Sequence, residues 1–129
     1  MENDNRQYFL PMNDERINEN IIVKLSFEFA LEIIQYTETL EERRKFVLAN
    51  QLLKSGTSIG ASIWEAQNAE SKADFIHKMK ISAKECEETK YWLLLCKNAD
   101  NYSNSDVLLK KIETIQKVPN KIITTSKQK

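Results

Sequence analysis

The residues closest in type and spacing to a metal site are a carboxylate and an imidazole three apart, Asp74-x-x-His77. On a helix that spacing is half of a di-iron set, which takes a Glu-x-x-His from each of two helices and further carboxylates. His77 is the only histidine, and Asp74 has a second use as a helix cap, so no metal or other cofactor is expected. A second chemistry is suggested by Ser55-Gly56-Thr57-Ser58-Ile59-Gly60-Ala61-Ser62-Ile63, which holds both glycines of the chain. A phosphate-cradling loop wants Lys and then Ser or Thr directly after its second glycine. Ala61-Ser62 stands there instead. Cys86 would need a neighbouring base and exposure to act as a nucleophile, and it falls on an apolar seam. Glu85, Glu87 and Glu88 interleave with Lys80, Lys84 and Lys90, a mixture expected on a solvated face laced with weak pairs. With no general acid/base pair in view, the expectation is a protein that is not an enzyme.

Two basic groups remain as candidate nucleic-acid contacts: Arg43, Arg44 and Lys45, and further along Lys110, Lys111, Lys117 and Lys121. Basic side chains on helices can track phosphates, with strong salt dependence. Ordinary solubility charge is the competing reading. The formal net charge is zero, which argues against indiscriminate binding, but the charge is unevenly spread. Residues 1–42 carry ten acids and three bases, and residues 105–129 carry two acids and six bases. Patches of opposite sign, or their cancellation between neighbouring helices, would both follow.

Positioning these residues falls to helices. At 129 residues with two glycines, two prolines and 29% charged residues, the chain is one domain with too few turn-formers for an all-β fold and too many charges for a membrane protein. The longest apolar run, Tyr91 to Cys96, is far short of a span, and the first residues lack the features of a signal peptide. A cytoplasmic location is expected, with Cys86 and Cys96 as reduced, core-filling thiols about 15 Å apart along one helix.

Residues 1–17 show no sustained period and read as a flexible arm, followed by a bundle over 18–125 and a frayed tail at 126–129. Within the bundle, Ile22, Leu25, Phe29, Ile33, Tyr36 and Leu40 predict a first helix from Asn18 or Asn20 to about Leu40. Phe27, Leu31 and Ile34 add a second stripe to it. A second helix is predicted over about Phe46 to Ala69, passing straight through the glycines. Each glycine inside a helix costs about 1 kcal/mol against alanine. Gly56 and Gly60, four apart and so on one face, therefore predict another backbone in close approach, of the same chain or of a second one. A third helix begins at Ser71, with Asp74 answering it as in a capping box. Its seam is Phe75, Met79, Ser82, Cys86, Thr89, Leu93 and Cys96, spaced by fours and threes with no charge. Tyr91 to Cys96 is apolar all round, which calls for neighbours all round. The fourth helix, capped by Asn104 or Ser105, uses Leu108, Ile112, Ile115 and Ile122, with Pro119 expected to kink or shorten it.

The segments Gln51 to Ile63 with Glu65-Ala66, Ser71 to Lys78, and Lys84-Glu85 through Glu88 to Leu93 resemble the four-helix-bundle family of 23S ribosomal RNA intervening-sequence proteins. Departures from the family pattern are Ser62 in place of Asn, Cys86 in place of a plain small residue, and Pro119. The resemblance implies an all-α, up-down-up-down four-helix bundle assembling into a homopentameric ring without known catalytic residues. It also implies kinship with accessory proteins of diversity-generating retroelements, which form rings and engage nucleic acid. Two functions are thus expected in competition: an oligomeric accessory factor for RNA or DNA, and a protein-binding scaffold without nucleic-acid contact.

Overall fold

The computed structural model describes Ile17 and residues 20–127. Among the described residues the chain forms four helices and no strand: α1 (Ile21–Glu42), α2 (Phe46–Ala66), α3 (Lys72–Asn98) and α4 (Asp106–Lys127). Each helix packs on its sequence neighbour, and α4 closes against α1. Short connections between neighbours make successive helices antiparallel. Polar pairs record that geometry. Asn20 before α1 meets Gln67 after α2, Ser62 in α2 meets Glu85 in α3, and Lys97 late in α3 meets Asp106 at the start of α4.

Side chains that satisfy free backbone groups mark the starts of α1, α3 and α4, whereas α2 begins after Lys45 without a side-chain cap. Asn20 Oδ1 accepts from the N–H of Ile22 at 3.1 Å, and Ser71 Oγ accepts from that of Asp74 at 3.0 Å. Asp74 does not answer Ser71 in return: its Oδ2 accepts from the N–H of Glu70, one residue earlier, at 3.2 Å. At the fourth start Asn104 does the capping, accepting from the N–H of Asp106 at 2.8 Å. Ser105 turns inward instead, and its hydroxyl donates to the Leu93 carbonyl at 2.9 Å.

Two helix ends depart from expectation. α2 stops at Ala66, because the N–H groups of Gln67, Asn68 and Ala69 bond three residues back to Trp64, Glu65 and Ala66 and tighten the chain out of α geometry. Pro119 does not shorten α4, which continues to Lys127 with the proline buried on its inner side. There the ring fills core space.

The core is a single cluster through all four helices, including Phe29, Ile33 and Leu40 of α1, Leu52, Ile59 and Ile63 of α2, Met79, Cys86 and Leu93 of α3, and Ile112 and Ile115 of α4. The predicted seam of α3 is buried from Met79 to Cys96, with Phe75 at its margin half-buried. Hydroxyls on that seam are satisfied across it. Thr89 Oγ1 donates to Ser55 Oγ at 2.9 Å, and Ser82 Oγ to the Ile59 carbonyl at 3.4 Å. The glycines face α1 of the same chain. A Cβ at Gly56 would lie 2.9 Å from the side chain of Ile33, and one at Gly60 would lie 3.2 Å from the Ser26 carbonyl oxygen. The close approach is therefore between two helices of one chain.

Candidate nucleic-acid interface

The candidate contacts are the basic residues of the α1–α2 turn and of α4. The α1–α2 turn carries Arg43, Arg44 and Lys45 at the end of the bundle where α3 gives way to α4. Arg44 takes φ 63°, a left-handed turn that lets the chain reverse in three residues. The N–H of Lys45 returns to the Leu40 carbonyl at 2.9 Å. Arg43 reaches the Asn101 carbonyl at 3.4 Å, and the Lys45 ammonium lies 4.9 Å from the centre of the Tyr102 ring. Beneath them the Tyr36 hydroxyl donates to the Ser103 carbonyl at 2.6 Å, and Thr39 and Ser103 share a hydroxyl–hydroxyl bond at 2.8 Å. Burial and the neighbouring Cys96 push the Tyr36 phenol well above its ordinary value, so it stays a neutral donor.

The four lysines of α4 do not form one group. At 100° per residue, Lys110, Lys117 and Lys121 fall on a common face opposite the buried Leu108, Ile112 and Pro119. All three are exposed. Lys111 lies a quarter-turn away, where it forms an ion pair with Glu32 of α1. About 16 Å of helix separates Lys110 from Lys121, so Lys110 stands near the Arg43 end and Lys121 toward the other.

Asp74 accepts from the Glu70 N–H ahead of α3 and lies 3.6 Å from Lys78, while His77 is exposed. Among the described residues no group of three or more His, Cys, Asp and Glu is placed to hold a metal ion. Cys86 and Cys96 are free and buried. Burial, reinforced by Glu85 and Glu87, pushes the Cys86 thiol up to about 12. Sequence reasoning missed the polar contacts of Glu85 and Gln116. Glu85 accepts from the Ser62 hydroxyl at 2.9 Å, and burial pushes its carboxyl above the usual range despite that bond, with Glu88 and Glu65 adding to the effect. Gln116 is buried and donates to Glu87. Its place beside Ile115, on the inner side of α4, was the available signal.

Large apolar side chains are exposed at several places, among them Ile21, Phe46, Val47 and Val107, and two groups stand on α1 and α3. On α1, Leu31 and Ile34 are 45% and 39% exposed. Nearby an apolar groove of about 380 Å³ runs between α1 and α2, past Phe27, Ala30, Ala61 and Trp64. On α3, Tyr91, Leu94 and Leu95 are 57%, 41% and 38% exposed. Of the Tyr91 to Cys96 run only Leu93 and Cys96 are buried, with Trp92 half-buried, so this chain alone does not supply the neighbours that the run calls for.

Four antiparallel helices around one core, with free thiols and basic residues at one end and along α4, define a four-helix-bundle protein. The model of the family described as 23S rRNA-intervening sequence protein matches residues 18–121, and the chain belongs to that family. The chain is also similar to a solved protein of unknown function from the S23 ribosomal protein family of Bacteroides thetaiotaomicron VPI-5482. The two are 39% identical over 80% of this chain and 98% of that one, with a TM-score of 0.76. No curated protein matches the chain. No helix among the described residues is long and apolar enough to cross a membrane.

Proposed function

We propose that this protein is a non-enzymatic, homo-oligomeric accessory factor for RNA or DNA, working in the cytoplasm, with a pentameric ring as its assembly. The observation that carries the reading is the pair of exposed apolar surfaces on different sides of one subunit, Leu31 with Ile34 and Tyr91 with Leu94 and Leu95. Contiguous exposed apolar surface marks an interaction site. Two unlike surfaces on one chain suit a head-to-tail contact, which closes into a ring when the rotation permits. Repetition then multiplies the basic end: Arg43, Arg44 and Lys45 recur in every subunit, and multivalent weak phosphate contacts gain avidity without new chemistry. The buried free thiols accord with a reducing compartment.

The test has two arms. Sedimentation of the wild-type chain is expected to give an oligomer, and Leu95→Glu a smaller species with unchanged helicity; a wild-type monomer would remove the assembly. Binding of the assembled form to structured RNA and to duplex DNA is expected to weaken steeply with salt, and Arg43→Glu with Arg44→Glu to flatten that dependence. Absence of salt-sensitive binding, with an oligomer intact, would instead favour a scaffold that binds protein.

A further inference from the structure

A second apolar groove, of about 490 Å³, lies between the beginning of α3 and the last turns of α4. Phe75, Ile76, Val118 and Ile122 wall it, Lys72, Lys117 and Lys121 stand around it, and no carboxylate is among the residues that line it. A groove of this kind calls for a partner with an apolar run and negative charge. The chain carries one of its own. We infer that residues 1–16 dock in this groove of the same subunit, with Tyr8-Phe9-Leu10 against its apolar walls.

Position, length and charge all favour that occupant. The groove lies at the end of the bundle where α1 begins, since α1 and α3 both start there while α2 and α4 both finish there. The bond between Asn20 and Gln67 marks the same end. Ile17, three residues before the cap of α1, is only 3% exposed and belongs to the main core. Ile17 therefore anchors this part of the chain against the bundle. Ile17 lies seven residue steps from Leu10, an extended reach of about 23 Å, and adjacent helices in a bundle stand about 10 Å apart. The end of the bundle is within reach. Residues 1–16 carry four acids and two bases, opposite in sign to the lysines around the groove. Tethering further favours this segment over any free peptide, because a short linker holds it at an effective concentration in the millimolar range. In that position the acidic segment covers Lys117 and Lys121, two of the candidate nucleic-acid contacts. That corollary rests on the nucleic-acid reading, whereas the docking does not.

Photo-crosslinking in the full chain tests the docking directly. With benzoylphenylalanine in place of Phe9, crosslinks are expected to residues 72–76 and 117–126 of the same chain. Crosslinks elsewhere, or none, would overturn the inference, and crosslinks between chains in a mixture of isotopically light and heavy protein would overturn the same-subunit assignment. Lys117→Glu with Lys121→Glu, both at exposed positions, is expected to lower the yield at least fivefold; an unchanged yield would remove the charge argument on which the choice of occupant depends. In the unmodified protein, amides of residues 8–10 are expected to exchange at least tenfold more slowly than in a free peptide. Exchange at the free-peptide rate would refute the docking without any substitution.

Discussion

Ile33 occupies the space that a side chain at Gly56 would need: a Cβ there would lie 2.9 Å from both Cγ1 and Cγ2 of Ile33. Ile33 is fully buried and β-branched, so it has little rotamer freedom with which to withdraw. Gly56→Ala gains about 1 kcal/mol of helix propensity and incurs overpacking of about 1–3 kcal/mol. The clash is expected to win. Urea unfolding should show a net loss of up to about 2 kcal/mol, and adding Ile33→Val should recover part of it. A stabilised Gly56→Ala would show that α1 shifts freely.

Gly60 meets backbone rather than side chain, with the Ser26 carbonyl oxygen 3.2 Å from a built Cβ. Gly60→Leu must therefore push α1 and α2 apart. The expected outcome is loss of the folded bundle or of its assembly, followed by circular dichroism and sedimentation. Unchanged melting and unchanged mass would remove the close-packing argument.

Thr89 and Ser55 hydrogen-bond to each other in the core at 2.9 Å. Removing one member strands the other, at about 1–3 kcal/mol, while removing both leaves nothing unsatisfied. Thr89→Val and Ser55→Ala are each expected to destabilise, and the double variant to lose less than the sum. A double-mutant cycle by chemical denaturation measures the difference. Strict additivity would mean that the two hydroxyls do not depend on each other.

Glu85 should give the bundle a stability that rises on mild acidification. Burial, with Glu88 and Glu65 nearby, raises its folded value above the ordinary 4.5, so between the two values the folded state holds the extra proton. Stability then falls as pH rises through that window and is lower at neutral pH. Glu85→Gln keeps an acceptor for Ser62 and removes the buried charge. It is expected to raise the melting temperature at pH 7 and to abolish this acid-side gain, as thermal melts of both proteins from pH 4.5 to 7.5 would show.

Cys86 should be inert in the folded protein. With its thiol pushed up to about 12, the thiolate fraction at pH 8 is on the order of 10⁻⁴, and the sulfur is fully buried besides. Labelling with iodoacetamide at pH 8 is expected to follow global unfolding across a denaturant series. Rapid labelling without denaturant would mean that α3 opens locally.

Helix positions and the apolar seam were legible because burial imposes a period that the residues themselves carry. The Met79 to Cys96 seam and the helical path through Gly56 and Gly60 were read that way. Periodicity places a residue around its own axis but does not name its neighbour, so the partner of the glycine face stayed open until Ile33 and Ser26 were seen against it. The same gap explains Tyr91, Leu94 and Leu95: an all-apolar turn signals demand for neighbours, and within one subunit that demand is unmet. Ser105 and Asp74 were missed in detail for another reason. A capping side chain chooses among donors and acceptors a residue or two apart, a choice made by loop geometry. The basic residues were legible as types, and the helical period by itself sets Lys111 apart from Lys110, Lys117 and Lys121, but its pairing with Glu32 required the packing of α4 on α1.

The ties between the α1–α2 turn and the loop before α4 have one more consequence. Tyr36, Thr39, Arg43 and Lys45 reach Ser103, Asn101 and Tyr102 across the bundle, so two connections that are distant in sequence behave as a single clasp. A charged end held in this way surrenders little conformational entropy when something docks on it. Its selectivity would come from the fixed spacing of its cations, and slackening the clasp with Tyr36→Phe would blur that spacing while leaving every charge in place.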